Sequence, residues 1–107
     1  MKIYQNLGVN KPEDANLPAG TTGLPYTIIS ARRIERGHYG KDLLYLECRE
    51  SGKEIGLGFG YGLVGENVIE PFIEEMAVDG IEKLVGKEVF AFTSPDHFAV
   101  RGIAVKK

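Results

Sequence analysis

The sequence predicts a single domain that is mainly β. Fourteen glycines and five prolines make up nearly a fifth of the 107 residues, and this content of helix-breaking residues is too high for a helical bundle. Hydrophobic residues account for 43% of the chain, which suffices for one core, and the length leaves no room for a second. Five Phe and five Tyr can fill the interior of a small β structure.

Residues 1–25 are predicted to form an extended N-terminal arm. Two short apolar clusters, at residues 3–4 and 7–9, precede a stretch that two prolines and Gly20 interrupt, which excludes a helix there. Irregular stretches of this length are uncommon in small domains. The arm is therefore either mobile or strapped across this subunit or a neighbouring one, and its apolar residues favour the ordered strap.

Three strands are predicted next. Residues 26–35 are rich in β-branched side chains and end in a glycine-bounded loop, and residues 43–49 alternate apolar with polar side chains, so these two strands form a hairpin. After a turn, residues 55–61 form a third strand with a bulky face and a bare one. The bulky face carries Ile55, Leu57, Phe59 and Tyr61, and the bare face carries Gly56, Gly58, Gly60 and Gly62.

A broken helix is predicted between the third and fourth strands. Pro71 suits the first turn of a helix, and the acids that follow it suit the positive end of the helix dipole. Asp79 is expected to cap a second short helix over residues 81–85, which Gly86 ends. Two strands follow, at residues 88–93 and 98–105, with a turn at residues 94–97 between them.

With this order of elements, residues 26–105 resemble the OB-fold, a partly open five-stranded Greek-key barrel. Residues 81–89, a short helix that runs into a strand, are similar to the corresponding stretch of small phage-type single-stranded-DNA-binding proteins. The resemblance implies a five-stranded OB-like barrel domain over residues 26–107. It also implies that the helix plugs the barrel end away from the face that binds ligands.

Few side chains in the sequence are suited to catalysis or metal binding. Cys48 is the one cysteine, and it alternates in phase with Leu44 and Leu46, as a small buried apolar residue does. His38 and His97 fall in predicted loops, far apart and without an identifiable partner. We therefore expect no enzymatic activity, no metal site and no cofactor.

The glycines of the third strand carry two possible meanings. Residues 60–65 match the pattern of a dinucleotide-binding loop, but the predicted helix does not follow at once, which excludes that interpretation. Each glycine inside a strand costs about 0.5 to 1 kcal/mol relative to alanine. Gly56, Gly58 and Gly60 are therefore interpreted as positions that something approaches closely: the closing barrel, the packed arm, or a ligand, base or partner sheet.

Charge separates along the chain. Residues 64–85 contain six acids and one lysine, whereas residues 26–54 contain six basic and five acidic residues, and residues 86–107 contain four basic and two acidic ones. The net charge of −2 thus hides an acidic helix and more basic strands. The acids are spread around the helix and are interpreted as a solvated surface.

Cations interleaved with aromatic residues on the predicted strands indicate a site for single-stranded nucleic acid. Cations neutralise phosphates, and bases stack on aromatic rings. In this hypothesis two tyrosines stack bases and the basic residues contact phosphates. The predicted site consists of Arg32, Tyr39, Lys41, Tyr45, Arg49 and Arg101. A mixed-sign surface over aromatics that belong to the core explains the same residues and stays open as an alternative.

A second hypothesis is a protein-interaction or inhibitor module of the kind that viruses encode. The acidic helix would mimic a row of phosphates, or the glycine-faced strand and the arm would form an oligomer interface. A small-ligand site on the glycines is a third. We also expect a homo-oligomer. We expect it in the cytoplasm and without membrane association, because the apolar stretches are only a few residues long and the first residues lack the apolar segment of a signal peptide.

Overall fold

A computed structural model describes residues 1–94 and 99–107 of the chain. Within these residues the structure confirms a mainly β domain, with one antiparallel sheet of seven strands, one α-helix and one short 3₁₀ helix. The elements are β1 Ile3–Gln5, β2 Gly8–Asn10, β3 Thr22–His38, β4 Lys41–Glu50, β5 Gly58–Val64, α1 Glu66–Met76, the 3₁₀ helix Ile81–Leu84, β6 Glu88–Thr93 and β7 Val100–Val105.

The sheet differs from the predicted five-stranded barrel. Its strands lie in the order β2-β1-β7-β6-β3-β4-β5, and in the described part of the chain the two end strands do not pair. The two additional strands come from the predicted arm, because β1 pairs with β2 and, through Tyr4 and Ile103, with β7. Pairing with β7 satisfies backbone groups of β1 while Ile3 and Tyr4 become buried.

β3 connects the two halves of the sheet. Residues Thr22 to Thr27 pair with β6 and residues Tyr26 to His38 pair with β4, so Tyr26 and Thr27 pair with both neighbours. The pairing with β4 is irregular between Ile28 and Ser30, just beyond this overlap, and irregularities of this kind bend a strand. Since β3 begins at Thr22, it crosses the boundary predicted between residues 25 and 26.

α1 begins earlier than predicted. It starts at Glu66, after Gly65, whose φ of 89° is a conformation that favours glycine. Pro71 therefore lies inside the helix and not in its first turn. Buried residues such as Ile69 extend the apolar stripe of the helix towards its N-terminus. The residue that precedes the 3₁₀ helix is Gly80, without a side-chain cap, so the cap predicted at Asp79 is wrong. Neither described helix has the length and apolar composition needed to cross a membrane.

The core lies between α1 and one face of the sheet. The helix buries Val68, Ile69, Phe72 and Met76, which join Leu44, Leu46 and Leu63 of the sheet in one cluster. The ring of Tyr4 meets Phe72 edge to face, with 5.2 Å between centroids. Its hydroxyl lies 2.7 Å from Glu75 Oε1 and 3.1 Å from the Pro71 carbonyl oxygen. The N-terminal hairpin is thereby anchored to the helix.

Two later strands have bounds that differ from the predicted ones, and β5 is displaced towards the C-terminus, since it ends at Val64 where the sequence predicts an end at Tyr61. β5 begins at Gly58, and Ile55 and Leu57 lie in the preceding loop, where they are 96% and 67% exposed. From Gly58 onward the predicted alternation of glycine with bulky residues is confirmed. β7 begins at Val100. The predicted turn at residues 95–97, including His97, and the strand start at Phe98 lie outside the described residues.

Candidate nucleic-acid interface

The part of the sheet formed by β3, β4 and β5 has two faces with different roles. Leu44 and Leu46 of β4 are buried in the cluster that contains α1. Because successive side chains of a strand point to opposite faces, Tyr45 and Arg49 lie on the other side. Arg32 is opposite Tyr45 in the register of β3 and β4. These three residues therefore share one face, called here the outer face, with the sheet between them and α1.

Arg32 and Tyr45 contact each other on the outer face. The Arg32 guanidinium carbon lies 5.6 Å from the centroid of the Tyr45 ring, which is within the range of a cation–π interaction. Arg32 is exposed and Tyr45 is half-buried. A cation is thus held beside an aromatic ring at the surface, and proteins that bind single-stranded nucleic acid use groups of these two kinds.

The glycines of β5 make room for side chains of β4. A Cβ atom at Gly60 would overlap the hydroxyl and ring of Tyr45, and one at Gly62 would lie 2.7 Å from Leu43 Cδ1. The group that approaches Gly60 closely is therefore a side chain of the same sheet. Tyr45 lies across the bare backbone of β5, which fixes the position of its ring.

The other two predicted close-approach glycines have different surroundings. A Cβ at Gly58 would lie 3.0 Å from the Cys48 carbonyl oxygen. Gly56 lies in the loop before β5, where a Cβ would be 3.1 Å from Glu50 Cβ. A shallow cavity of about 360 Å³ follows this part of the outer face, and Tyr45, Arg49 and the three predicted glycines line it together with Ile29, Glu47, Cys48 and Phe59.

Tyr39 and Lys41 lie at the turn between β3 and β4. Tyr39 is 91% exposed, has a φ of 47° and contacts the His38 ring edge to face, with 4.6 Å between centroids. Lys41 is exposed beside the start of α1. At the usual rise of a strand, Lys41 and Arg49 are about 26 Å apart along β4. The structure therefore places these two residues at one end of the outer face and Arg49 at the other.

Arg101 does not join the other predicted residues. It lies in β7, on the far side of β3 and β6 in the strand order. The register between β6 and β7 shifts next to it, because Phe92 pairs with Gly102 and Thr93 with Val100. Its Nε atom is buried and has no hydrogen-bond partner among residues 1–94 and 99–107.

Most of the acids of the helix are separated from the outer face by the sheet. Glu66 forms an ion pair with Arg33, and Glu75 binds the Tyr4 hydroxyl and lies 3.4 Å from Lys107 Nζ. The outer face itself carries one acid of β4, Glu47, which is exposed between Tyr45 and Arg49. The outer face therefore has mixed charge, with cations beside the aromatic ring.

Two observations on the described residues concern metal binding and the reactivity of cysteine. They contain no group of three or more His, Cys, Asp or Glu side chains that could hold a metal ion. Cys48 is buried, as its alternation predicted, and burial raises the pKa of its thiol to about 12. The thiolate is the reactive form of cysteine, so this thiol is a poor nucleophile near neutral pH.

Sequence reasoning missed a second cavity, of about 430 Å³, near the start of β5. Its lining residues are Leu24, Tyr26, Glu50, Leu57, Gly58, Phe59, Thr93, Ser94 and Val100. They come from well-separated parts of the chain, so no local pattern joins them.

No protein family, no curated protein and no solved structure matches this chain.

Proposed function

We propose that this chain is a non-enzymatic binding module for single-stranded nucleic acid, built on an OB-like layout. β3, β4 and β5 follow one another in the sheet, and β6 returns after α1 to lie beside β3, which is a Greek-key arrangement. OB-folds bind oligonucleotides on the face of their second and third strands. Those strands correspond to β4 and β5, and the outer face is part of them.

The proposal rests on one observation: Arg32, Tyr45 and Arg49 share an exposed face opposite the acidic helix. Tyr45 would stack a base, and Arg32, already beside its ring, would neutralise the adjoining phosphate. Arg49 is four residues further along β4, at a distance of about 13 Å. The three side chains thus form a track parallel to the strand.

The charges of this track support binding of moderate strength. Glu47 lies between the ring and Arg49 and repels phosphate, while Lys41 at the hairpin end adds a cation. One or two stacked bases at about 1 to 3 kcal/mol each, with a few phosphate contacts, give dissociation constants in the micromolar range. Binding of this kind weakens as salt rises, because counterions are released from the phosphates.

Titration of a labelled single-stranded oligonucleotide at several salt concentrations tests the proposal. We expect Tyr45→Ala to weaken binding by about 5- to 150-fold, since it removes a stacking ring, whereas Tyr45→Phe retains it. Arg49→Ala should lower the slope of log affinity against log salt by about 0.7. Lys83→Ala is the matched control, because Lys83 lies beside the end of α1. Absence of binding at low salt, or binding insensitive to salt, would exclude this function.

A protein-interaction or inhibitor module is the second candidate, and the exposed acids of α1 favour it. Glu70 and Glu74 are exposed and lie one turn apart on the same side of the helix. An arginine-rich peptide is the simplest probe of such a surface. This candidate predicts that the peptide loses binding to the Glu70→Gln, Glu74→Gln double variant and retains it with Tyr45→Ala, the reverse of the pattern expected for an oligonucleotide.

A further inference from the structure

We propose that an extended apolar peptide segment of a partner protein binds along the free edge of β5. The free edge consists of the backbone N–H and C=O groups of Gly58 and Gly60. The segment would add a strand to the sheet and place alternate side chains in the cavity beside Leu57 and Phe59.

The register of the sheet identifies the free edge. Among residues 1–94 and 99–107, β5 is an end strand that pairs with β4 alone. On its other side the Val64 N–H donates to the Asn6 carbonyl oxygen at 2.8 Å, and Asn6 Nδ2 donates to the Gly62 carbonyl oxygen at 2.6 Å. Alternate residues of a strand direct their backbone groups to the same side, so Gly58 and Gly60 point there too.

No other group in the described part of the chain forms a hydrogen bond with the backbone of Gly58 or Gly60 on that side. Two donors and two acceptors are therefore open to solvent. They are spaced two residues apart, which is the repeat with which an extended chain presents its own backbone groups.

The free edge of β5 lacks two of the devices that normally prevent strand addition, because it carries no charged residue and its pairing with β4 is regular. Exposed edges are usually protected by charged residues, irregular pairing or short length. Two other edges among the described residues have such protection. β2 is only three residues long. The part of β3 beyond its pairing with β6 has an irregular register near its end and four charged side chains. Those side chains are Arg32, Arg33, Glu35 and Arg36. In contrast, no charged residue lies between Glu54 and Glu66.

The second cavity lies against this edge and fits a peptide. Leu57, Gly58 and Phe59 form one wall. Val100 of β7 and Ser94, which follows β6, also line the cavity. Its lining is mainly apolar. Its volume of about 430 Å³ holds a few side chains of an extended segment and is too small for a folded domain. The occupant is therefore a peptide segment.

The cavity and the free edge have complementary parts in the proposed mode of binding. Strand addition of this kind obtains affinity from main-chain hydrogen bonds and specificity from pockets for alternate side chains.

The experiment begins with selection of random nine-residue peptides displayed on phage against the native chain. We expect the selected sequences to carry apolar residues at alternate positions. The best peptide is then synthesised with N-methyl groups on every second amide, in both phases. One phase should weaken binding at least tenfold and the other less than twofold, because only alternate amides face β5. A pocket that recognises apolar side chains alone would not distinguish the two phases.

Two lysine variants of matched exposure locate the binding site. Leu57→Lys places a charge beside the free edge and should weaken peptide binding at least tenfold. Leu7→Lys is the control, since Leu7 is 64% exposed in the turn between β1 and β2, and it should leave binding unchanged. Circular dichroism checks that both variants fold, and if Leu57→Lys is unfolded, the N-methyl comparison decides.

Several results would overturn the proposal. The first is a selection that yields no peptide with the alternating pattern. The second is an equal effect of the two N-methyl phases on binding. The third is native affinity in a folded Leu57→Lys variant. Light scattering of the free chain tests whether a second copy of the chain occupies the edge in place of a peptide. If it forms a dimer whose assembly broadens the amide signals of Gly58 and Gly60, a second copy occupies the edge and the peptide proposal is wrong.

Discussion

Gly60 has no side chain, and the Tyr45 ring occupies the space that a side chain there would need. A methyl group there would overlap the Tyr45 ring, so we expect Gly60→Ala to destabilise the protein by about 1 to 3 kcal/mol, the usual cost of overpacking. Urea unfolding measures it. Gly8→Ala is the control, because its nearest neighbour would be at 3.8 Å, an ordinary contact. In a Tyr45→Ala background the cost should disappear, and an unchanged cost would mean that Tyr45 is not the obstacle.

Buried Cys48 makes stability depend on alkaline pH. Burial raises the pKa of its thiol from 9.0 to about 12, so the folded state binds the proton more tightly than the unfolded state. This stabilisation is complete below pH 9 and is lost as the pH rises from about 9 towards 12, with a slope of at most about 1.4 kcal/mol per pH unit. Tyr61, whose pKa burial raises from 10.0 to about 12, adds a similar loss above pH 10.

Unfolding free energies measured between pH 7 and about pH 11 test this dependence. We expect Cys48→Ala to reduce stability at pH 7, because it removes a buried side chain, but to flatten the decline between pH 9 and pH 10. Tyr61 still titrates in this variant and provides the internal control above pH 10. A decline between pH 9 and pH 10 that is as steep as in the native chain would contradict the assignment.

At the scale of elements, the sequence predicts what short-range patterns determine. The alternation of Leu44, Leu46 and Cys48 identifies the buried face of β4, and it therefore also predicts that Tyr45 and Arg49 share the other face. Three-residue strands such as Ile3–Gln5 are too short for a periodic pattern, so the sequence predicts an extended arm where the structure has a hairpin.

Features that depend on distant parts of the chain could not be predicted. The register shift beside Arg101 arises from its pairing with β6, and no local pattern reveals it. The cavity at the start of β5 combines residues from Leu24 to Val100, which only the folded sheet brings together.

Pro71 is the element-scale feature in which local preference and structure disagree most. It lies inside α1, where proline lacks the N–H that would bond the carbonyl four residues earlier, a loss of roughly 3 kcal/mol in a regular helix. Pro71→Ala should therefore stabilise the protein, by about 1 to 3 kcal/mol after the greater freedom of the unfolded chain is counted.

Thermal and urea unfolding measure the effect of Pro71→Ala. The carbonyl group that accepts the Tyr4 hydroxyl bond belongs to the backbone and is retained in the variant, so the contact to the N-terminal hairpin is preserved. Tyr4→Phe serves as the reference, since it removes that bond and should lower stability by about 1 kcal/mol. A destabilised Pro71→Ala variant would mean that the proline ring contributes more through packing than it costs.

At the scale of the whole molecule, the N-terminal hairpin links the two ends of an open sheet. β1 continues the sheet beyond β7, its Tyr4 reaches α1, and Asn6 in the following turn bonds Gly62 and Val64 at the end of β5. Residues 3–6 thus contact both halves of the sheet and the helix. The hairpin completes the enclosure of the core that pairing between the end strands would provide in a closed barrel.

Removal of residues 1–10 tests whether the hairpin is part of the folding unit. The deletion exposes surface that Ile3 and Tyr4 cover, and burying a large apolar side chain contributes about 1.5 to 3 kcal/mol. It also leaves β7 unpaired on one side. We expect a loss of at least about 4 kcal/mol, which lowers the melting temperature of a domain of this size by about 15 °C or more. Removal of Met1 and Lys2, both exposed, is the control and should have little effect. If the longer deletion melted at the native temperature, the core would be complete without the hairpin, and the open sheet would be stable without the link between its ends.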